Sequence, residues 1–234
     1  VRSLIEEDGA DFLIGGDSSV VSLQLAPVVK ELQVPWVCTH ASTPFLTVPE
    51  DDHEQAVGND YTFRNSCSLS QNHYGAAVTA RDQTDAERWT MIGPNYAYGT
   101  QSYEYFKGFT QGMGLGYEFL DDSVTLPDLG TDDFTPQIRR VLENDPEGVL
   151  ISLWGGDLIT FLGQAQNTEF FDVVDAPLMM LGAATDVLNP MGDTMPDGLW
   201  AGTRYWALPN ESSEANQTFV QKFLDQHDKI PSYN

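Results

Sequence analysis

Four short segments concentrate side chains and backbone able to hold a small polar molecule. They are Gly15-Gly16-Asp17-Ser18-Ser19, Cys38-Thr39-His40-Ala41-Ser42-Thr43-Pro44, Gly93-Pro94-Asn95-Tyr96-Ala97-Tyr98-Gly99 and Leu153-Trp154-Gly155-Gly156-Asp157. The first two are small and hydroxylic, and such turns present N–H and O–H donors to a carboxylate. The other two offer aromatic faces suited to an apolar or planar body. For any one of these residues a second reading stands beside the first: Ser and Thr cap helices, and aromatic rings pack.

Other chemistry has less behind it. Gly16-Asp17-Ser18 follows an apolar run, as the nucleophile turn of some esterases does, but that reaction needs a histidine base within hydrogen-bond reach. The histidines are His40, His53, His73 and His227, with no Asp-x-x-His near the C-terminus and no Gly-x-Ser-x-Gly elbow. Gly112-Met113-Gly114-Leu115-Gly116 closes a helical pattern and precedes a strand, the reverse of a dinucleotide loop, and reads as a helix C-cap. There is no phosphate loop, no His-x-x-x-His and no EF-hand spacing, so no metal and no cofactor is expected.

The elements that must position the four turns follow from apolar periodicity. Strands are expected over 12–15, 34–38, 61–64, 89–93, 117–120, 149–153, 178–181 and 199–204. The 12–15 run reads as a buried strand. Helices are expected over 18–32, 74–85, 100–113, 136–144, 158–166 and 213–227, the first with Val21, Leu25, Val28, Val29 and Leu32 on its buried face. Regular alternation of strand and helix predicts an α/β fold with doubly wound parallel sheets. The acidic stretch 44–59 reads as a solvated surface excursion. The chain opens in helix-like residues and ends at Pro231-Ser232-Tyr233-Asn234 without a cap, which reads as a fragment lacking a first βαβ unit and its last portion.

Composition narrows the setting. The 234 residues carry 11 Lys+Arg against 35 Asp+Glu, a formal net charge of −24, so phosphate backbones are repelled and no nucleic-acid partner is expected. The acids are dispersed rather than gathered in a tail, a pattern that suits a protein kept hydrated in strong brine, where salt screens the self-repulsion. With 41% hydrophobic residues the chain can build a core, and its apolar runs are too short to span a bilayer as a helix. Two cysteines are too few for a disulfide scaffold, and the sequons Asn210-Glu211-Ser212 and Asn216-Gln217-Thr218 fit an exported chain.

Taken in order, Asp11 to Ser19, Val34-Pro35, Ala41-Ser42-Thr43-Pro44, Tyr61-Thr62-Phe63-Arg64, Pro94-Asn95-Tyr96-Ala97-Tyr98-Gly99, Leu153-Trp154-Gly155-Gly156-Asp157 with Gln164-Ala165, Gly198-Leu199-Trp200 to Tyr205-Trp206 and Pro231-Ser232 resemble the leucine/isoleucine/valine-binding family. These are type I extracellular solute-binding proteins of ABC importers. The resemblance implies two α/β lobes joined by a hinge and closing on a ligand. Lobe 1 would be 1–68 with 204–234, incomplete, and lobe 2 would be 69–203, with crossings near 66–69 and at Thr203-Arg204.

It further implies a small-molecule ligand (amino acid, amide or small carboxylate), importer membrane subunits as partners, no catalysis, and a cell-surface location through a lipid anchor on an absent N-terminus. A ligand-sensing domain of a receptor or regulator is the alternative. By position, the ligand-binding residues would be Ser18, Ser19, His40, Ala41, Ser42, Tyr98, Trp154 and Ala183. Ser19 would meet the ligand carboxylate, Ser42 its carboxylate and ammonium, and the His40 carbonyl its ammonium, while Tyr98 would cover it. Amino-acid binders often carry an acid after the 178–181 strand to pair with the ammonium. Here that stretch is Leu181-Gly182-Ala183-Ala184-Thr185, with Asp186 the nearest acid. Cys38 ends one strand and Cys67 follows the end of the neighbouring one, with parallel neighbours about 4.8 Å apart, so a disulfide is expected and two buried free thiols are the other reading.

Overall fold

The computed structural model describes residues 1–49, 51–205, 207 and 213–231. A short helix α1 (Arg2–Glu6) precedes β1 (Leu13–Gly15), α2 (Ser19–Leu32), β2 (Trp36–Cys38) and β3 (Thr62–Arg64). Then follow α3 (Leu69–Gln83), β4 (Arg88–Ile92), α4 (Ala97–Gly112), β5 (Glu118–Phe119), α5 (Thr135–Leu142) and β6 (Gly148–Ile151). The order continues with α6 (Gly155–Ala165), α7 (Phe170–Val173), β7 (Ala176–Met179), α8 (Thr185–Met191), β8 (Trp200–Ala201) and α9 (Glu214–His227).

The strands form two all-parallel sheets, β1-β2-β3 and β5-β4-β6-β7-β8. This is the α/β architecture with parallel sheets that the strand–helix alternation predicts. In the larger sheet both faces are covered, and its strands β6 and β7 are apolar throughout. Val149 and Ile151 of β6 face a core with Phe134, Phe161 and Phe170, whereas Leu150 faces Trp89, Met91 and Phe106. Burying both faces is what makes a parallel strand read as a continuous apolar run.

The smaller sheet departs from the sequence reading in three respects. Its β1 is an edge strand and not buried: Ile14 is 68% exposed and Phe12 61%. Helix α2 covers only the other face of that sheet, and alternate residues of a strand face opposite ways. Second, α2 buries Ser19, Ser22, Ala26 and Val29, while Val21 stays exposed. The small residues let the helix approach closely: a Cβ on Gly16 would sit 2.7 Å from the Trp36 ring and 3.0 Å from Ser22 Oγ. Third, the acidic 44–59 stretch is solvated only at its tip. Leu46 and Ala56 on either side are buried, and Leu46 joins the core of Trp36, Ala26 and Val29.

The disulfide expected between Cys38 and Cys67 does not form; both are free thiols. Cys38 pairs in register with Arg64, so Cys67 lies three residues further along, past the end of β3. The Cys38 sulfur instead turns toward α2, donating to the Gly16 carbonyl at 3.6 Å and lying 3.9 Å from Ser22 Oγ. Alkylation of the denatured, unreduced protein is expected to label both cysteines; an intact mass showing neither labelled would restore the bridge.

Other differences are at element ends. Helix α3 starts at Leu69, five residues before the expected onset, because Ser68 and Gln71 make a reciprocal capping box. The 178–181 strand lies two residues earlier, at Ala176–Met179, the 199–204 strand is shorter, at Trp200–Ala201, and α8 had no sequence signal. The sequon at Asn210 falls outside the described residues. That at Asn216 lies in α9, where the side-chain amide accepts from Tyr205 Oη at 2.6 Å and donates to the Ala207 carbonyl at 3.1 Å. This is a structural use of the amide nitrogen that a glycan would need. No helix among the described residues is long and apolar enough to cross a membrane.

Candidate functional site

Each of the four turns lies just past the C-terminal end of a strand, at or beside β1, β2, β4 and β6. In such folds that is where ligands bind. Asp17, Ser18, Ser19, His40 and Ser42 from the smaller sheet meet Tyr96, Tyr98, Trp154 and Leu181 from the larger one around one cleft, with Arg204 between them. The cleft is narrow as it stands, with a cavity volume of about 20 Å³, so a solute larger than a water molecule requires the two sides to move apart.

On the smaller-sheet side, Ser18 is the N-cap of α2, its Oγ accepting from Val21 N at 3.3 Å, and buried Ser19 is the first helical residue. The turn after β2 is held from several directions. Ser42 O accepts from Leu69 N at 2.9 Å and from Arg64 Nη1 at 3.0 Å, and Ala41 O accepts from Ser66 Oγ at 2.8 Å. Ala41 N donates to Gly16 O at 3.2 Å, which ties the two turns together. These ties fix where Ser42 presents its hydroxyl.

On the larger-sheet side, Trp154 Nε1 donates to Tyr96 Oη at 3.1 Å, and the Tyr96 and Tyr98 rings stack 6.1 Å apart. Gly99 permits the turn before α4: a Cβ there would come within 2.0 Å of Pro94 O. Tyr98 is almost wholly buried, and its hydroxyl has no hydrogen-bond partner among the described residues. Burial pushes that phenol up to about 12. A buried hydroxyl of this kind, lining a cleft, is set to be satisfied by a guest atom.

The electrostatics are positive at the base. The N-cap residues of α2, α4 and α6 are Ser18, Tyr96 and Trp154, so three helix amino termini converge on the cleft. Each end carries about +0.5 of an elementary charge. Arg204 adds a full charge: Nη1 donates to the His40 carbonyl at 2.8 Å, and Nη2 donates to Ser42 Oγ. His40 is pushed down by burial first and by Arg204 second, and Asp17 and Asp186 only partly offset this. Its Nε2 lies 3.6 Å from Asp17 Oδ1, whose side chain is 73% exposed at the mouth.

Six of the eight expected ligand residues therefore meet at one cleft: Ser18, Ser19, His40, Ser42, Tyr98 and Trp154. The structure does not bring Ala41 and Ala183 to the lining. The first is buried behind it, and the second donates its N–H to Gly202 O at 3.1 Å. Sequence reasoning left Arg204 as a hinge residue and missed it here. Its signal was a rare cation, one of 11 Lys+Arg, on the return from β8. Among the described residues no group of His, Cys, Asp and Glu is placed to hold a metal.

The periplasmic binding protein family matches residues 1–234, the whole chain. None of the curated protein sequences matches it. A leucine-binding protein from Thermotoga maritima superposes with a TM-score of 0.81 at 18% identity, covering 99% of this chain and 61% of that one. An ABC transporter substrate-binding protein from Sphaerobacter thermophilus gives 0.80 at 25% identity, with 99% and 60% covered. An ABC transporter solute-binding protein from R. palustris, in complex with 4-hydroxybenzoate, gives 0.78 at 21% identity, with 97% and 58% covered. The chain thus spans about three fifths of the length of these structures.

Proposed function

The chain belongs to the periplasmic binding protein family, and we propose from there that it is the solute-binding receptor of an ABC importer. It captures a small carboxylate-bearing solute (amino acid, amide-like acid or other organic acid) between two closing lobes and carries out no chemistry on it. Lobe 1 comprises 1–68 and 204–234 and lobe 2 comprises 69–203. Closure moves one lobe onto the other about the connections near 66–69 and 203–204, shifting a population from open to closed when ligand contacts both sides.

One observation carries the reading: hydroxyl-bearing turns from one sheet and ring-bearing turns from the other line the same cleft. One structure of this fold is described as a leucine-binding protein and another as a complex with 4-hydroxybenzoate, which fits a cleft with donors at one side and rings at the other. Ser18 does not favour an esterase, since its hydroxyl caps α2. Capture outside the cytoplasm, a lipid anchor and importer membrane subunits as partners belong to the same proposal. The dispersed charge of −24 supports a saline setting.

A thermal-shift panel of amino acids, amides and aromatic acids in molar salt tests it. A cognate solute at a hundredfold excess over its dissociation constant is expected to stabilise the intact protein by about 2.7 kcal/mol. Ser19→Ala is expected to weaken that solute by about 1–3 kcal/mol, because a desolvated carboxylate loses a donor. Unchanged affinity in Ser19→Ala would move the carboxylate away from α2.

A further inference from the structure

The cleft distinguishes between two kinds of carboxylate, and Arg204 decides which. An α-amino acid brings an ammonium one bond beyond the carbon that bears its carboxylate, and a closed cleft must offer that ammonium acceptors. Two uncharged acceptors of the lining on the Ser19 side, the His40 carbonyl and the Ser42 hydroxyl, each already receive an N–H of the Arg204 guanidinium. An ammonium placed there would face a guanidinium across hydrogen-bond distances, in a site whose three helix ends are also positive. The His40 ring supplies no negative charge to offset this in either of its protonation states. Of the acids, Asp17 lines the cleft but its side chain is 73% exposed to water, and Asp186 is exposed. Asp17 sits at the mouth, beside His40.

Resting on the receptor reading above, we infer that the solute is an organic acid with no ammonium beside its carboxylate, and that Arg204 excludes α-amino acids by holding the place their ammonium would take. The rest of the lining agrees. Tyr96, Tyr98, Trp154 and Leu181 form an apolar, ring-bearing wall, and the buried Tyr98 hydroxyl, without a partner among the described residues, is left for a polar atom of the solute. An acid with a planar body satisfies the carboxylate donors and the rings at once.

Matched pairs that differ only in the ammonium test this by calorimetry on the intact protein: tyrosine against 3-(4-hydroxyphenyl)propanoate, phenylalanine against 3-phenylpropanoate, leucine against 4-methylpentanoate. The acid of at least one pair is expected to bind ten times or more tighter than its amino acid. Arg204→Gln, which removes the charge and leaves an amide donor, is expected to lower acid affinity and to narrow or reverse the preference, whereas Arg204→Lys keeps its direction. An amino acid binding as tightly as its partner acid overturns the inference and leaves the receptor reading standing. Binding of neither member of any pair, nor of anything in the wider thermal-shift panel, overturns both. If Arg204→Gln does not fold, the wild-type ratio alone decides.

Discussion

Trp89→Ala is expected to destabilise the protein by about 3–5 kcal/mol, the range for removing a buried indole and leaving its cavity. Trp89 is fully buried on β4, packs at 5.1 Å against the Phe106 ring, and donates its Nε1 hydrogen to Ala86 O at 2.9 Å. It stands directly opposite Gly148 on β6, where a Cβ would come within 2.5 Å of the indole. The two positions are therefore one packing unit, with a missing side chain on one strand making room for the largest on the next. This makes the sign of a second substitution depend on the first. Gly148→Ala alone is expected to cost about 1–3 kcal/mol by overpacking. In the Trp89→Ala background it is expected to be neutral or stabilising, since the methyl enters the cavity and glycine in a strand interior is unfavourable. Urea unfolding of the four proteins in a double-mutant cycle measures the coupling. Equal cost of Gly148→Ala in both backgrounds would separate the two residues.

A comparable loss is expected on acidification, through His73. The ring is wholly buried in α3, with Nδ1 2.8 Å from Leu69 O and Nε2 without a partner among the described residues. Burial brings this imidazole down to about 4, and the Arg204 charge pushes the same way, against the Leu69 hydrogen bond. The folded state thus refuses a proton that the unfolded chain takes up near pH 6.5. Stability from this group is complete above about pH 6.5 and is lost as pH falls toward about 4, by about 3 kcal/mol in total. His73→Leu is expected to remove that slope. Carboxylates held low by partners, such as Asp121 beside Lys107 and Tyr103, lose stability in the same direction in both proteins and cancel in the comparison. Urea unfolding at about pH 7 and about pH 4.5 reads the difference, and parallel losses in the two proteins would show that His73 does not titrate this way.

The fold was legible because its signals are local. A fully covered parallel strand such as β6 is a run of apolar residues, and the turns after strands carry the small or ring-bearing residues that a cleft needs. That is why the four turns could be picked out from spacing and type, while Ser19, Ser42, Tyr98 and Trp154 within them were singled out by the family resemblance. Where meaning depended on distant partners, reading along the chain failed. Ile14 is as apolar as any core residue yet is 68% exposed in this stretch of chain, which covers about three fifths of the solved structures it resembles. In α2 the buried face is set by close approach to Trp36, which small Ser22 and Ala26 permit and large Val21 would not. Cys38 and Cys67 looked bridgeable because strand adjacency is legible and side-chain direction past a strand end is not. Arg204 follows a two-residue strand and acts on a carbonyl 164 positions earlier, a relation that no local window contains.

Arg204 belongs to the connection leading out of β8, not to a turn of either sheet's wall, yet it grips the loop after β2. Should the two proposed lobes part, the guanidinium goes with the hydroxyl-bearing turn that it grips. Its charge would then meet an arriving molecule before the rings of the other side do.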